Sequence, residues 1–108
     1  MKDIADIKLK EDSTIKNALR VISNSGMKIV IIVDKKDNLL GTLTDGDIRR
    51  GLLKGLDLND NISTIISKNP CTAKINDTKE EILKIALLNN IYQIPIVDES
   101  GKVFKIEF

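Results

Sequence analysis

Apolar residues follow two different periodicities along the first half of the chain. Between residues 14 and 25 they recur at the spacing of one helix face, which predicts an amphipathic helix with Ser13 or Asp12 at its N-cap. That face is formed by Ile15, Ala18, Leu19 and Ile22. The run "KIVIIVD" that follows is too short for a helix and rich in β-branched residues, so it predicts a buried strand. A turn at "KKDN", a strand at "LLGTLT" and a helix from Asp45 to about Gly55 complete this half.

The second half of the chain repeats this order of elements. "DTKEEILKIALLNN" predicts a helix with Asp77 at its N-cap, "YQIPIVD" and "KVFKIEF" predict strands, and "ESG" predicts the turn between them. The apolar face of this helix is formed by Ile82, Leu83 and Ala86. Aligning Asp34 with Asp98 gives an offset of 64 residues that joins the two passages without a gap. Six identical pairs then coincide: Lys10 with Lys74, Thr14 with Thr78, Leu19 with Leu83, Ile32 with Ile96, Val33 with Val97, and Asp34 with Asp98. The pattern therefore indicates a duplicated unit.

Each unit has the element order β-α-β-β-α, with an opening strand at "IKLK" or "CTAK". A unit of this size cannot cover both faces of its sheet, so we predict an α+β fold in which two units pack sheet to sheet about a pseudo-two-fold axis. The predicted domains are 1–56 for the first unit, 57–70 for a connector with a short helical segment at 62–67, and 71–108 for the second unit. The second unit lacks its final helix, because the counterpart of Thr44 is Phe108, the last residue.

The composition is that of an ordinary globular protein and argues against several kinds of function. The net charge is +1, so no overall field favours nucleic acid or an anionic membrane. The absence of histidine removes the commonest general base, and the single Cys71, predicted to be a buried and unreactive thiol, excludes an internal disulfide. Three aromatic residues cannot form a base-stacking surface, and no segment resembles a membrane span or a signal peptide. We therefore expect a cytoplasmic protein with no catalytic residues, no metal site, no nucleic-acid partner and no membrane segment.

Polar chemistry concentrates in the stretch "GTLTDGDIRRGLLKG", at the predicted junction of a strand and a helix. One interpretation is structural: Thr44 and Asp47 form a capping box, and the arginines are solvated. The other is a ligand pocket, in which backbone N–H groups and arginines hold a phosphate and a carboxylate accepts both hydroxyls of a ribose. The candidate ligand-binding residues are Gly41, where the missing side chain permits close backbone approach, together with Thr44, Asp45, Asp47, Arg49 and Arg50.

These residues also carry a family resemblance. "G-T-L-T-D-G-D-I" resembles the end-of-strand motif of a CBS domain, "YQIPIVDESGK" resembles the second strand and turn of that family, and nearly the whole chain resembles a tandem CBS pair, or Bateman module. The resemblance implies a cleft that binds adenosine nucleotides or related ligands, with Thr44 and Asp47 holding the phosphate or ribose. The first unit departs from the family's apolar-Pro pattern, with Ile31 where the second unit has Pro95, and the second unit lacks the Thr and Asp. At most one of the two equivalent sites is therefore complete.

The preferred hypothesis is a regulatory module that requires no cofactor and senses AMP, ADP, ATP or S-adenosylmethionine. The alternatives are a structural dimerisation module and, third, a free-standing enzyme. The form "TDGDIRR" resembles modules attached to sugar nucleotidyltransferases of surface-glycan synthesis and to sugar-phosphate isomerases of the same pathways. Because Met1 runs almost directly into the first unit, we expect the nucleotidyltransferase setting, with a catalytic domain beyond Phe108. We also expect a homodimer through the helices that follow Thr14, Asp45 and Thr78.

Overall fold

A computed structural model describes residues 4–68, 72–89 and 93–107 of the chain. The strands are β1 (Lys8–Lys10), β2 (Ile29–Val33), β3 (Leu39–Thr44), β4 (Ala73–Lys74), β5 (Ile94–Val97) and β6 (Val103–Glu107). The α-helices are α1 (Ile15–Ser25), α2 (Asp45–Leu53) and α3 (Lys79–Asn89), and short 3-10 helices lie at Ile4–Ile7 and Ile62–Thr64. The predicted order of elements is therefore confirmed. The opening strand of the second unit starts at Ala73, and the predictions for Cys71 and Phe108 lie outside the described residues.

The described strands form two three-stranded sheets with the same topology. Their orders are β1-β2-β3 and β4-β5-β6, each with a parallel pair followed by an antiparallel hairpin. The hairpin registers repeat at the offset of 64, since Ile32 pairs with Gly41 and Ile96 pairs with Lys105. Both registers shift at the next position, between Ile32 and Val33 and between Ile96 and Val97. The duplication seen in the sequence thus extends to the backbone pairing.

The hairpin turns are also duplicated, each around one aspartate. Asp34 Oδ1 accepts hydrogen bonds from the backbone N–H groups of Lys36 (2.8 Å) and Asn38 (2.9 Å). Asp98 Oδ1 accepts from the Ser100 hydroxyl (2.7 Å) and from backbone N–H groups two and four residues later. The pKa of Asp34 is lowered mainly by the Asn38 N–H, and the pKa of Asp98 mainly by the Ser100 hydroxyl, because both donors stabilise the charged carboxylate.

Strand β2 is buried on both faces, because its alternating side chains enter two different apolar clusters. Val30 and Ile32 pack against the helices, in a cluster completed by Ile15, Ala18, Leu43, Ile48 and Ile62. The other face packs against the second sheet, in a cluster that contains Ile29, Ile31, Val33 and Ile7 from the first unit and Val97, Val103 and Ile106 from the second. The predicted packing of sheet against sheet is therefore confirmed.

The segment between the two units lies along the first unit. The Ile15 N–H donates to the Asp60 carbonyl (3.0 Å), and the Ile62 N–H donates to the Ser13 carbonyl (3.0 Å), so this segment satisfies free backbone groups at the start of α1. Ile62 is fully buried, and Ile65 and Ile66 pack on the same cluster. The helical segment expected at 62–67 is shorter, a 3-10 helix at Ile62–Thr64. The division into residues 1–56, 57–70 and 71–108 stays a prediction.

Two predicted N-caps are wrong, and the duplication explains both. Thr14, rather than Ser13 or Asp12, caps α1 through a capping box with Asn17. Its counterpart Thr78 accepts a hydrogen bond from the Glu81 N–H (3.1 Å) at the start of α3. Asp77 accepts instead from the Lys74 N–H (2.8 Å), which ties the helix start to β4. The residue directly before the first helical residue has its side-chain oxygen in reach of the third helical N–H. The side chain of the residue one position earlier is not in reach of that N–H.

The predicted apolar face of α3 is correct at Ile82 and Ala86 but wrong at Leu83. Ile82 and Ala86 pack on the second sheet, whereas Leu83 is 58% exposed. Its counterpart Leu19 packs on the cluster that receives Ile48 from α2. Within the described residues no helix follows β6, so α3 has no neighbour equivalent to α2. Further along α3, Leu87 and Leu88 are also exposed.

The two aspartate turns predict a defined pH dependence of stability. Hydrogen bonds hold both folded-state pKa values below 3.8, so the unfolded chain binds protons more readily. The stabilisation is therefore complete above the unfolded-state value and is lost as the pH falls through the folded-state values. We expect a variant with Asp34→Asn and Asp98→Asn to lose less unfolding free energy than the original chain between about pH 5 and about pH 2, as measured by urea titration.

A Glu99→Gln variant is the control, since Glu99 lies exposed in the second turn and accepts no hydrogen bond from the described residues. It should follow the profile of the original chain. Coincident pH profiles for the double variant and the original chain would contradict this account of the turns.

Candidate functional site

Strand β3 passes directly into helix α2, with no intervening loop. Thr44 ends the strand in an extended conformation (φ −101°, ψ 165°), and Asp45 begins the helix. The Thr44 Oγ1 accepts from the Asp47 N–H (3.1 Å), and Asp47 Oδ2 accepts from the Thr44 N–H (2.9 Å). The capping box of the structural interpretation is therefore present.

The Thr44 cap differs from the other two threonine caps in the use of its hydroxyl proton. The Thr14 hydroxyl donates to Asn17 Oδ1 (2.9 Å), and the Thr78 hydroxyl donates to Glu81 Oε1 (3.3 Å). The Thr44 hydroxyl donates to no acceptor among the residues that the structure describes. A hydroxyl both donates and accepts, so Thr44 can cap the helix and donate to a ligand oxygen at the same time.

Both predicted arginines form ion pairs with the predicted aspartates. Arg49 Nη2 lies 2.7 Å from Asp45 Oδ2, and Arg50 Nη2 lies 2.7 Å from Asp47 Oδ1. Both arginine side chains are about two-thirds exposed, whereas that of Asp47 is 23% exposed. Exposed ion pairs contribute only about 0–1 kcal/mol, so a ligand can replace them at little cost. Asp47 is thus the most enclosed charge at the junction.

A cavity of about 350 Å³ opens beside α2 and includes two of the predicted residues. It is lined by Asp47, Arg50, Gly51, Lys54, Leu56, Thr64 and Ile65. Small-molecule sites commonly have volumes of about 300–1,000 Å³, so this cavity is large enough for a small ligand. Thr44, Asp45, Arg49 and Gly41 lie outside its lining.

Sequence reasoning missed the other lining residues for two different reasons. Lys54 could have been found, because it lies seven residues after Asp47 and four after Arg50, on the same helix face. Thr64 and Ile65 carried no such signal, because they reach the cavity only through the path of the connecting segment.

Gly41 permits other atoms to come close to the backbone of β3, and the atoms that do so belong to the connecting segment of the same chain. A Cβ at this position would collide with Ile66 Cγ2 and lie 2.5 Å from the Ser67 carbonyl oxygen. Two backbone hydrogen bonds between Thr42 and Ser67 (2.9 and 3.1 Å) hold the segment there. Gly41 therefore shapes the site by admitting the connecting segment against β3.

The described residues contain neither a cluster of metal-ligating side chains nor a membrane-spanning helix. In those residues no three His, Cys, Asp or Glu side chains converge as a metal site. Nor does any helix in them have the length and apolar character needed to cross a membrane.

A model of the CBS domain matches residues 2–54 and 62–105 of this chain. Arabinose 5-phosphate isomerase GutQ of Salmonella typhi is 28% identical over 91 residues, which are 84% of this chain and 28% of the isomerase. The chain thus spans less than a third of the length of this curated relative.

Two solved structures share the fold. The CBS domain protein PAE2072 from Pyrobaculum aerophilum, complexed with AMP, has a TM-score of 0.85 at 18% identity and covers 93% of this chain and 77% of its own. The CBS domain pair of protein MJ0100, in complex with 5'-methylthioadenosine and S-adenosyl-L-methionine, has a TM-score of 0.84 at 24% identity and covers 93% and 82%. These likenesses confirm the predicted α+β fold of paired units.

The packing at Gly41 predicts opposite effects for two glycine substitutions. Gly41→Ala should lower the unfolding free energy by about 1–3 kcal/mol, because the added methyl group overlaps the Ile66 side chain and the Ser67 carbonyl. Gly46→Ala should be neutral or raise it by about 0.4–1 kcal/mol, because a Cβ there approaches only the flexible Arg50 guanidinium, at 3.3 Å, and alanine favours a helix. Urea unfolding monitored by circular dichroism measures both. Equal effects of the two substitutions would contradict the assigned contact.

Proposed function

The chain belongs to the CBS-domain family, whose paired domains are regulatory rather than catalytic modules, and we propose that it binds an adenosine nucleotide or a related adenosine ligand where β3 meets α2. The observation that carries the proposal is the hydroxyl proton of Thr44, which has no acceptor among the described residues, beside the Asp47 carboxylate, whose side chain is only 23% exposed. A donor and an acceptor at adjacent positions suit a ligand with a phosphate at one end and a diol at the other.

Each predicted residue has a distinct role in this proposal. The Asp47 carboxylate accepts from the ribose hydroxyls, and Thr44 donates to a phosphate oxygen. Arg50, released from its exposed pair with Asp47, and Arg49, oriented by Asp45, supply positive charge to the phosphate. Gly41 acts indirectly, by holding the connecting segment against the strand that carries Thr44.

The structural neighbours support an adenosine ligand. PAE2072 is in complex with AMP, and the MJ0100 pair is in complex with 5'-methylthioadenosine and S-adenosyl-L-methionine. These ligands share an adenosyl group and differ beyond the ribose. We therefore propose that the adenosine part is the common element and that the groups beyond the ribose distinguish AMP, ADP, ATP and S-adenosylmethionine.

The module serves, in this proposal, to regulate a catalytic domain of the same polypeptide in the cytoplasm. The matched isomerase GutQ supports a sugar-phosphate isomerase as that domain. The sugar nucleotidyltransferase setting rests on the resemblance of "TDGDIRR" and gains no support from the relatives described above. We therefore place the isomerase setting first.

A structural role in dimerisation is the second candidate, and the exposed leucines favour it. Leu53 on α2 and Leu87 and Leu88 on α3 are each at least 74% exposed. Apolar side chains grouped on helix faces commonly mark a protein contact. We propose a homodimer through the helices, which is compatible with ligand binding.

Ligand binding is tested by thermal melting and by isothermal calorimetry against AMP, ADP, ATP and S-adenosylmethionine. A ligand at a hundredfold excess over its dissociation constant should stabilise the fold by about 2.7 kcal/mol. Asp47→Asn should leave the fold without ligand nearly unchanged, because asparagine keeps a side-chain oxygen that accepts the Thr44 N–H, and should remove the ligand-induced shift.

Thr44→Val tests the role of the Thr44 hydroxyl in binding, and Thr14→Val is its matched control. Each removes one threonine N-cap and should cost about 1 kcal/mol, but only Thr44→Val should abolish the ligand-induced shift. A folded protein that responds to none of the four ligands would refute the binding proposal and leave the structural role.

The homodimer is tested by sedimentation equilibrium over a range of protein concentrations. The original chain should sediment as a dimer, and a variant with Leu87→Glu and Leu88→Glu should sediment as a monomer, because charges in an apolar contact are not solvated. Ile75→Glu is the control, since Ile75 is exposed in the turn that follows β4 and lies outside the three helices, and this variant should stay dimeric. A monomeric original chain at high concentration would disprove the dimer.

A further inference from the structure

A second cavity, of about 270 Å³, lies between helix α1 and the 3-10 helix at Ile4–Ile7. It is lined by Asp6, Arg20, Val21, Asn24 and Ser25. These residues all belong to the first unit, and none of them lines the cavity beside α2. The volume lies below the range of about 300–1,000 Å³ that is usual for small-molecule sites, so this cavity suits a ligand smaller than a nucleotide.

Both walls of this cavity are held by the packing between the two sheets. Ile7 is fully buried in the cluster that joins the sheets, and Ile4 packs on the same cluster. On the other wall, Val21 of α1 packs on this cluster and also on the cluster between sheet and helices. Apolar contacts therefore fix one wall relative to the other, and Val21 gives the cavity an apolar side chain.

The cavity is bordered by a carboxylate and a guanidinium that do not pair with each other. Asp6 and Arg20 are exposed, and neither side chain has an ion-pair or hydrogen-bond partner in the part of the chain that the structure describes. By contrast, Arg49 and Arg50 each pair with an aspartate on their own helix. Two opposite charges that border one cavity without pairing can each bind the opposite charge of a ligand placed between them.

Ser25 adds a buried hydroxyl to the same cavity. The residue is 6% exposed, and its Oγ accepts from the Met27 N–H at 3.1 Å. Among the described residues the acceptor for its proton is the Ile22 carbonyl, at 3.5 Å, which is the length of a weak hydrogen bond. A ligand oxygen at a shorter distance is a better acceptor, so Ser25 can keep its bond from Met27 and donate to a ligand.

The C-terminus of α1 favours a positive charge at this cavity. Asn24 and Ser25 belong to the last turn of α1, which contains no basic residue. The carbonyl groups at a helix C-terminus carry a partial negative charge, which stabilises a nearby cation. A ligand ammonium would be stabilised by this terminus as well as by Asp6, while Arg20, about one helical turn earlier than Asn24, is available for a ligand carboxylate.

We infer that this cavity binds a small zwitterion, namely a free α-amino acid with an aliphatic side chain. Its carboxylate binds Arg20 and the Ser25 hydroxyl, and its ammonium binds Asp6. Its side chain packs on Val21. The lining carries one positive and one negative side chain, so it has no net charge that would favour a phosphate. The site is separate from the proposed adenosine site, since the two cavities share no residue.

An NMR titration of ¹⁵N-labelled protein with L-valine tests both binding and its location. The amide signals of residues 4–7 and 20–27 should shift with a dissociation constant of about 1 mM or lower, and those of residues 44–54 should not. The analogue 3-methylbutanoate lacks the ammonium group, and isobutylamine lacks the carboxylate. Each should bind at least about tenfold more weakly than L-valine, because one charge of the site is then left without a partner.

Two substitutions with matched controls assign the two charges. Arg20→Gln and Asp6→Asn should each weaken L-valine about tenfold, and both variants should fold like the original chain, because neither side chain has a partner among the described residues. Lys16→Gln and Asp12→Asn make the same changes of net charge at exposed positions outside the cavity, and they should keep the original affinity. Arg20→Gln should leave isobutylamine binding unchanged, and Asp6→Asn should leave 3-methylbutanoate binding unchanged.

Three results would overturn the amino-acid site. The first is no shift of residues 4–7 and 20–27 at about 20 mM L-valine, well above the expected dissociation constant. The second is equal affinity for L-valine and either analogue, since the cavity would then hold only an anion or only a cation. The third is an equal loss of affinity in a variant and its matched control, which would reduce the effect to net charge. Each of these results would leave the adenosine proposal standing.

Discussion

The apolar contact between the two sheets is the constraint on which the rest of the structure depends. Strand β2 has no polar face: Ile29, Ile31 and Val33 point toward the second sheet, while Val30 and Ile32 point toward the helices. A strand of this kind is stable only when both faces are covered, so one unit requires the other. The shared register and the shared aspartate turns show that both units meet this requirement with the same backbone geometry.

The connecting segment forms one part of the cavity beside α2. It hydrogen-bonds to the start of α1 and to β3, and Gly41 leaves room for it against the strand. The same segment then provides Thr64 and Ile65 to the cavity beside α2. The stability of the first unit and the shape of this cavity therefore depend on the same segment.

The junction between β3 and α2 shows that capping and binding are compatible interpretations of one motif. Thr44 and Asp47 satisfy the first N–H groups of the helix, as the structural interpretation requires. The Thr44 hydroxyl proton and the exposed ion pair of Asp47 remain accessible for a ligand. By contrast, Thr14 donates its hydroxyl proton within its own capping box. Two threonines that both cap a helix thus differ in whether the hydroxyl proton is used within the capping box.

Sequence pattern alone established the duplication, the α+β class and the order and approximate positions of the elements, and it offered the capping box as one of two interpretations. These features depend on local periodicity and on neighbours a few residues away. It failed at two residues. Asp77 does not cap α3, because its carboxylate accepts a hydrogen bond from β4 instead. Leu83 is exposed, because within the described residues no helix equivalent to α2 packs beside α3. The cavity was decided only by tertiary structure. Thr64 and Ile65 line the cavity beside α2 because the connecting segment packs against β3 at Gly41, and no periodic signal in the sequence encodes that packing.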